Sequence, residues 1–220
     1  MTERKRAAGP LVMFDLDGTL IDSVGGIAHA VNAVRRECGL VPLSTERVRG
    51  FVGNGARKLM ERSLADAPAP VPVDAALAAM VDRYAVEPLY DTRLYPGVAE
   101  GLEDLARRGA LLAVVSNKPD RVGRLILDGL GIARFFCENI GAGRFPLKPA
   151  PDAVLHLLEK YAVPRERAWF VGDHYTDLRA AEAAGVRGVF CRYGFGRRDE
   201  APAAFEIDAF SELAPLLERA

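Results

Sequence analysis

The stretch Leu11-Val12-Met13-Phe14-Asp15-Leu16-Asp17-Gly18-Thr19 decides how the rest of the chain is read. Four apolar residues run straight into an Asp-x-Asp-Gly turn. A short apolar run bounded by turn residues reads as a buried strand. The same signature returns further along. Leu111–Val115 is apolar and β-branched and ends in Ser116-Asn117, and Ala168–Val171 ends in Gly172-Asp173. Phe136–Ile140 and Gly188–Cys191 read as two further strands.

Helices fill the intervals. Ile27, Val31, Val34 and Cys38 recur at helical spacing, and Gly39 can close that helix. More helices are expected around Thr45–Arg49, Ala56–Ala65 and Asp74–Val86. Leu77, Met80, Val81 and Tyr84 give the last of these an apolar face, and Pro68, Pro70 and Pro72 mark the loop before it. No strand is evident between residues 22 and 92. After Pro96-Gly97, helices over Val98–Leu105, Pro119–Leu130, Val154–Tyr161, Leu178–Ala184 and Ser211–Arg219 alternate with the strands. That alternation predicts an α/β fold with a doubly wound, mostly parallel, Rossmann-like sheet. The all-helical stretch after the first strand is read as an inserted cap. Residues 1–20 and 93–220 then form the catalytic core, and 21–92 the helical cap.

Composition limits the function classes. The chain has 220 residues, half of them apolar, which is enough for a sizeable core. Its formal charge of -1 gives no footprint for nucleic acid or a membrane surface. Cys38, Cys137 and Cys191 are far apart, with no C-x-x-C pair, so neither a disulfide framework nor a zinc site is expected. They read as small buried hydrophobes. The basic Met1–Pro10 segment lacks the apolar run of a signal peptide. No stretch approaches the roughly 18 apolar residues of a membrane span. A cytoplasmic protein is expected, monomer or homodimer, acting on a small molecule.

In open α/β sheets, ligands bind outside the carboxyl ends of the strands. Asp15 and Asp17, Ser116 and Asn117, and Asp173 all stand at such ends. Lys148, in Leu147-Lys148-Pro149 just before a helix, joins them if the sheet is parallel. Carboxylates crowded together raise one another's pKa unless a cation sits among them. All-oxygen donors with room for water suit Mg2+. Lys148 can hold a carboxylate ionised and grip a phosphate oxygen. The set suits phosphoryl transfer: a carboxylate nucleophile, a second carboxylic acid to protonate the leaving oxygen, and positive charge for the equatorial oxygens.

Four motifs occur in a fixed order: Asp15-Leu16-Asp17-Gly18-Thr19, then Ser116, then Lys148, then Gly172-Asp173-His174-Tyr175-Thr176-Asp177. On these the chain resembles the haloacid dehalogenase superfamily. Phe14–Ser23, Phe51–Arg57, Ser116–Pro119 and Lys148–Asp152 make it similar to the phosphoglycolate phosphatase branch. The resemblance implies that Asp15 is the nucleophile and a metal ligand. Asp17 is the general acid and base, offering its backbone carbonyl to the metal. Ser116 binds the phosphoryl group, Lys148 binds phosphate and orients Asp15, and Asp173 and Asp177 complete the metal site, Asp177 through water or as support. Gly18, Thr19 and Asn117 join the phosphate-binding set. The cap loop Gly53-Asn54-Gly55 and Arg57 are expected to meet the substrate, with Arg57 on a substrate carboxylate. His174 stands where small polar residues are common in the family and is given no catalytic role.

The implied function is a magnesium-dependent phosphomonoesterase. It works through an aspartyl-phosphate on a small phosphorylated metabolite, with 2-phosphoglycolate favoured. A sugar-phosphate phosphatase or phosphomutase of the same superfamily is the alternative. A dehalogenase is disfavoured, because family members of that kind lack the second aspartate of the first motif, and a departing halide needs no proton.

Overall fold

The computed structural model describes residues 9–219, so the part of the core expectation falling on residues 1–8 lies outside the described residues. The first strand, β1 (Leu11–Phe14), is completely buried. It is followed by the two-residue β2 (Ile21–Asp22) and four helices: α1 (Val24–Glu37), α2 (Thr45–Arg49), α3 (Ala56–Ser63) and α4 (Val73–Val86). The chain returns through β3 (Arg93–Leu94) to α5 (Val98–Arg107). Then come β4 (Leu111–Pro119), α6 (Asp120–Gly129), β5 (Phe136–Ala142), α7 (Asp152–Tyr161), β6 (Ala168–Gly172), α8 (Tyr175–Ala184), β7 (Arg187–Cys191), β8 (Phe205–Ile207) and α9 (Leu213–Arg219).

The main sheet has six strands in the order β5-β4-β1-β6-β7-β8. Every neighbouring pair is parallel. Side chains alternate across it with the period of two that a strand imposes. Val12, Phe14, Leu112, Val114, Trp169 and Val171 fall in one apolar cluster, and Leu11, Met13, Ala113, Val115, Ala168 and Phe170 in another. A sheet buried on both faces needs strands apolar at every position, which is why β1 reads as an unbroken run. On the first face Phe14 stacks on Phe210 at 5.9 Å and meets Phe136 edge-on at 6.3 Å.

That first cluster continues through Leu16, Leu20 and Ile21 into the cap, where Ile27, Val31, Leu59 and Met80 join it. β2 and β3 pair antiparallel at the two crossings between core and cap, Ile21 with Leu94 and Asp22 with Arg93. An Arg93–Asp22 ion pair of 2.9 Å fastens this ribbon. Inside the cap the guanidinium of Arg35 is buried. It donates to the Val41 and Ser63 carbonyls and grips both carboxylate oxygens of Asp66, at 2.6 and 2.8 Å. One α1 side chain thus ties down the loop after its own helix and the end of α3.

Some expectations need correction. The ribbon and β8 were not read from the sequence, because two- and three-residue strands carry no periodicity. β4 outruns its apolar stretch: Pro119 still pairs with Ala142 after a register shift, so Ser116, Asn117 and Lys118 lie within the strand's irregular end. Of the cysteines expected to be buried, only Cys191 is. Cys38 and Cys137 are exposed, and all three are free. Among the described residues no helix is long and apolar enough to cross a membrane.

Candidate active site

β1, β4 and β6 lie side by side, so their carboxyl ends deliver Asp15, Ser116 with Asn117, and Asp173 to one edge. The loop before α7 brings Lys148 beneath them. Its ammonium stands 2.9 Å from Asp15 Oδ1 and 2.7 Å from Asp177 Oδ1, and donates to the Val115 carbonyl at 2.7 Å. Burial works against the charge on Lys148, but the facing carboxylates of Asp15 and Asp177 outweigh it and hold its pKa above the ordinary value.

Asp173 is almost completely buried and closely packed by backbone. Gly18, at φ +87°, and Gly194 and Gly196 all press against it so closely that a Cβ at any of the three would collide with it. Gly196 N–H donates to Asp173 Oδ2 at 2.7 Å, and Thr19 Oγ1 donates to Oδ1 at 3.3 Å. Burial, and then the charges of Asp177 and Asp15, push the Asp173 carboxyl well above the usual range.

Asp177 owes its place to the start of α8. His174 is the N-cap. Its Nδ1 accepts from Thr176 N–H at 3.4 Å, and Asp177 Oδ2 accepts from His174 N–H at 3.0 Å, the reciprocal arrangement of a capping box. The same geometry turns Asp177 Oδ1 toward Lys148. Burial is the main cause that raises the Asp177 carboxyl to about 7. His174 is buried too, which lowers its pKa to about 4 and keeps the ring neutral at physiological pH.

Asp15, Asp173 and Asp177 each offer a carboxylate oxygen, and these oxygens lie within 4.8 Å of one another. Hard oxygen donors of this kind fit a divalent ion such as Mg2+, and the raised carboxyls of Asp173 and Asp177 leave room for more positive charge than Lys148 alone supplies. Asp17 stands apart. Its Oδ1 accepts from Ser23 Oγ at 2.6 Å, and Lys118 Nζ donates to its two oxygens at 2.8 and 3.1 Å. Lys118 also donates to the Tyr84 hydroxyl of α4 at 3.0 Å, so Asp17 is linked to the cap. The metal contact implied through the Asp17 backbone carbonyl does not use this carboxylate.

A cleft between cap and sheet edge encloses about 620 Å3 of empty space, its open mouth included. Asp15, Asp17, Ser116, Asn117 and Asp173 line it, with Gly53 on the cap side. Asn117 binds this cap loop to the Lys148 loop: its Nδ2 donates to the Lys148 and Gly53 carbonyls, and its Oδ1 accepts from Lys148 N–H. Gly53, at φ +115°, packs on His174, whose Nε2 would be 2.5 Å from a Cβ there.

Four expected substrate contacts are not at the cleft wall. Gly18 and Thr19 back Asp173 instead. Asn54 donates to the Tyr175 hydroxyl at 2.7 Å and accepts from Arg62, a bridge between cap and core. Arg57 is half-exposed and pairs with Asp74, with Glu61 close by. An acidic partner at the start of α4 holds it outside the cleft lining, and that partner lies 17 residues on, beyond the reach of a local motif.

Sequence reasoning missed several groups at the cleft: Lys118 and Tyr84, Ser23 behind Asp17, and Phe195 and Gly196 from the loop after β7. The only signals were the lysine in Ser116-Asn117-Lys118-Pro119 and the paired glycines of Gly194-Phe195-Gly196.

Comparison with known proteins places this geometry. A family model described as haloacid dehalogenase-like hydrolase matches residues 10–185. The chain is 40% identical to phosphoglycolate phosphatase 1 of Pseudomonas aeruginosa, over 96% of this chain and 80% of that protein. It is 42% identical to the phosphoglycolate phosphatase of Pseudomonas putida, over 93% and 78%. Among solved structures, a predicted phosphoglycolate phosphatase from Haemophilus somnus superposes with a TM-score of 0.89 at 30% identity, covering 94% of this chain and 97% of that one.

Proposed function

The chain belongs to the haloacid dehalogenase-like hydrolase family, and on that footing we propose that it is a magnesium-dependent phosphomonoesterase whose substrate is a small phosphorylated metabolite, 2-phosphoglycolate first among them. One observation carries the reading. Two carboxylates only two residues apart have different surroundings. Asp15 sits with Asp173 and Asp177 around Lys148, whereas Asp17 is turned out of that cluster toward Lys118 and the cap. That is the division of labour a nucleophile and a general acid require.

In the proposed reaction a carboxylate oxygen of Asp15 attacks phosphorus, and the bond to the ester oxygen breaks. Asp17 gives its proton to that oxygen as the alcohol departs. Asp17 then takes a proton from water as the water attacks the aspartyl-phosphate, which releases phosphate and restores Asp15. Lys148 and the Ser116 hydroxyl hold the transferring oxygens. Asp15 and Asp173, with Asp177 beside them, would hold Mg2+, which when bound supplies positive charge to the phosphoryl oxygens and lets the acids stand ionised together.

The names of the relatives support the choice of 2-phosphoglycolate. The three free cysteines fit a reducing cytoplasm. The test is phosphate release from a panel of esters with magnesium and then with excess chelator, with Asp15→Asn beside the wild type. The expected result is release that needs the metal, disappears in Asp15→Asn and is fastest with 2-phosphoglycolate. Release that persists in Asp15→Asn would overturn the mechanism, and a faster ester would overturn only the choice of substrate.

A further inference from the structure

Beyond the transferring phosphoryl group, the cleft offers the rest of the substrate very little polarity. Apart from Tyr84 and the backbone of Gly53 and Gly55, the cap contributes only apolar side chains, Ile27, Val52, Ala56, Leu59 and Met80. A leaving group rich in hydroxyls would surrender its water there and find few partners in return. Among the described residues that line the cleft, Lys118 is the one lysine or arginine, and Arg57 is held outside by Asp74. Lys118 is nearly inaccessible to solvent, and its ammonium lies between the Asp17 carboxylate and the Tyr84 hydroxyl. An alcohol that takes its proton from Asp17 therefore has Lys118 and Tyr84 as its next neighbours.

Taking the phosphomonoesterase reading as given, the geometry points to Lys118, with the Tyr84 hydroxyl beside it, as the anchor for a carboxylate on the leaving group. The substrate class is a short phosphate ester of a hydroxy acid. At present Lys118 gives one hydrogen bond to a neutral phenol oxygen across the cleft wall. A substrate carboxylate that takes over this bond replaces a neutral acceptor with a charged one and adds the attraction of opposite charges at close range. The short hydrocarbon between ester and carboxylate then rests on the apolar cap wall. A dedicated contact of this kind also discriminates, because an ester without the carboxylate gains nothing from the ammonium.

Lys118 also touches Asp17, so a fall in activity alone would not separate anchoring the substrate from positioning the acid. The experiment compares two esters of one skeleton with the full-length enzyme and magnesium: 2-phosphoglycolate and 2-hydroxyethyl phosphate, in which a hydroxymethyl group replaces the carboxylate. The readout is the ratio of their kcat/KM values. A positioning role lowers both esters alike and leaves the ratio unchanged. An anchoring role lowers the ratio by about 10- to 100-fold in Lys118→Met, the size of one lost hydrogen bond to a charged group. Tyr84→Phe leaves Lys118 and Asp17 in place, removes only the hydroxyl beside the anchor, and is expected to lower the ratio less, by about 3- to 10-fold. A ratio within twofold of wild type in both variants overturns the assignment while phosphatase activity stands. No Asp15-dependent release from either ester in the wild type overturns the phosphatase reading, and the anchor with it.

Discussion

Asn117 holds Lys148 by both of its backbone groups: the Lys148 N–H donates to Asn117 Oδ1 at 2.8 Å, and Asn117 Nδ2 donates to the Lys148 carbonyl at 3.0 Å. A side-chain amide here does what a neighbouring strand would do. It fixes the loop that aims the Lys148 ammonium at Asp15. Asn117→Ala leaves a buried donor and a buried acceptor unpaired, at a cost of about 2–4 kcal/mol in stability. Urea unfolding measures that loss, and kcat should fall by about tenfold or more as Lys148 loosens. An Asn117→Ala enzyme with wild-type kcat would show that Lys148 is positioned without it.

The metal-free protein should become less stable as pH rises. The Asp177 carboxyl is raised from its ordinary 3.8 to about 7, and Asp173 is raised as well. Between those limits the folded chain holds protons that the unfolded chain has released. Stability is therefore greatest below about pH 4 for these groups and is lost toward about pH 7. A divalent cation reverses the preference by favouring ionised carboxylates. The rise in Tm on adding magnesium should thus be larger at pH 8 than at pH 5. Asp173→Asn should raise the metal-free Tm at pH 8 and remove most of the magnesium effect. Equal magnesium effects at both pH values would contradict the three-acid site.

Asp17→Asn tests the general acid through the leaving group. An alkyl ester must have its departing oxygen protonated, while p-nitrophenolate leaves well without a proton. The variant should lose about 10²–10⁴-fold in kcat with 2-phosphoglycolate, the range of general acid catalysis, and far less with p-nitrophenyl phosphate in the first step. Pre-steady-state release of p-nitrophenol isolates that step. A uniform loss in both would assign Asp17 a purely structural role.

The cap has its own weak point in Arg35. Its buried guanidinium satisfies the Val41 and Ser63 carbonyls as well as Asp66. Arg35→Met removes all of these donors and is expected to cost about 2–4 kcal/mol, mainly from the Val41 and Ser63 carbonyls left without them. Asp66 is half-exposed, so Asp66→Asn should shift Tm much less. Thermal unfolding of the two variants compares them directly, and similar shifts would mean that the exposed carboxylate, rather than the buried donors, carries the network.

These relationships differ in how far the sequence reveals them. Asp15, Ser116 and Asp173 are legible because each ends an apolar run, and a parallel sheet must bring such ends together. Asp177 is legible as the acid four residues beyond Asp173, although its partnership with His174 in a capping box emerges only from the backbone. Lys118 and Tyr84 are not legible. The first is one more lysine after a motif, the second one more apolar position on α4, and their meeting depends on how the cap docks. Arg57 misleads for the same reason: a local loop pattern points it at the substrate, while the packing of α3 on α4 gives it to Asp74.

The ribbon of β2 and β3 is small, yet it decides how this fold can diversify. The helical segment leaves and rejoins the sheet through two strands that pair with each other, so its two ends are adjacent. An insertion with adjacent ends behaves as a cassette. It can be lengthened, trimmed or exchanged for an unrelated module while Asp15, Lys148 and Asp173 keep their places on the scaffold below. A graft cut at Ile21 and Leu94 would carry the apolar wall and Tyr84 with it and leave Lys118 on the scaffold, so one hydrolytic machine could be offered to different leaving groups by replacing its lid.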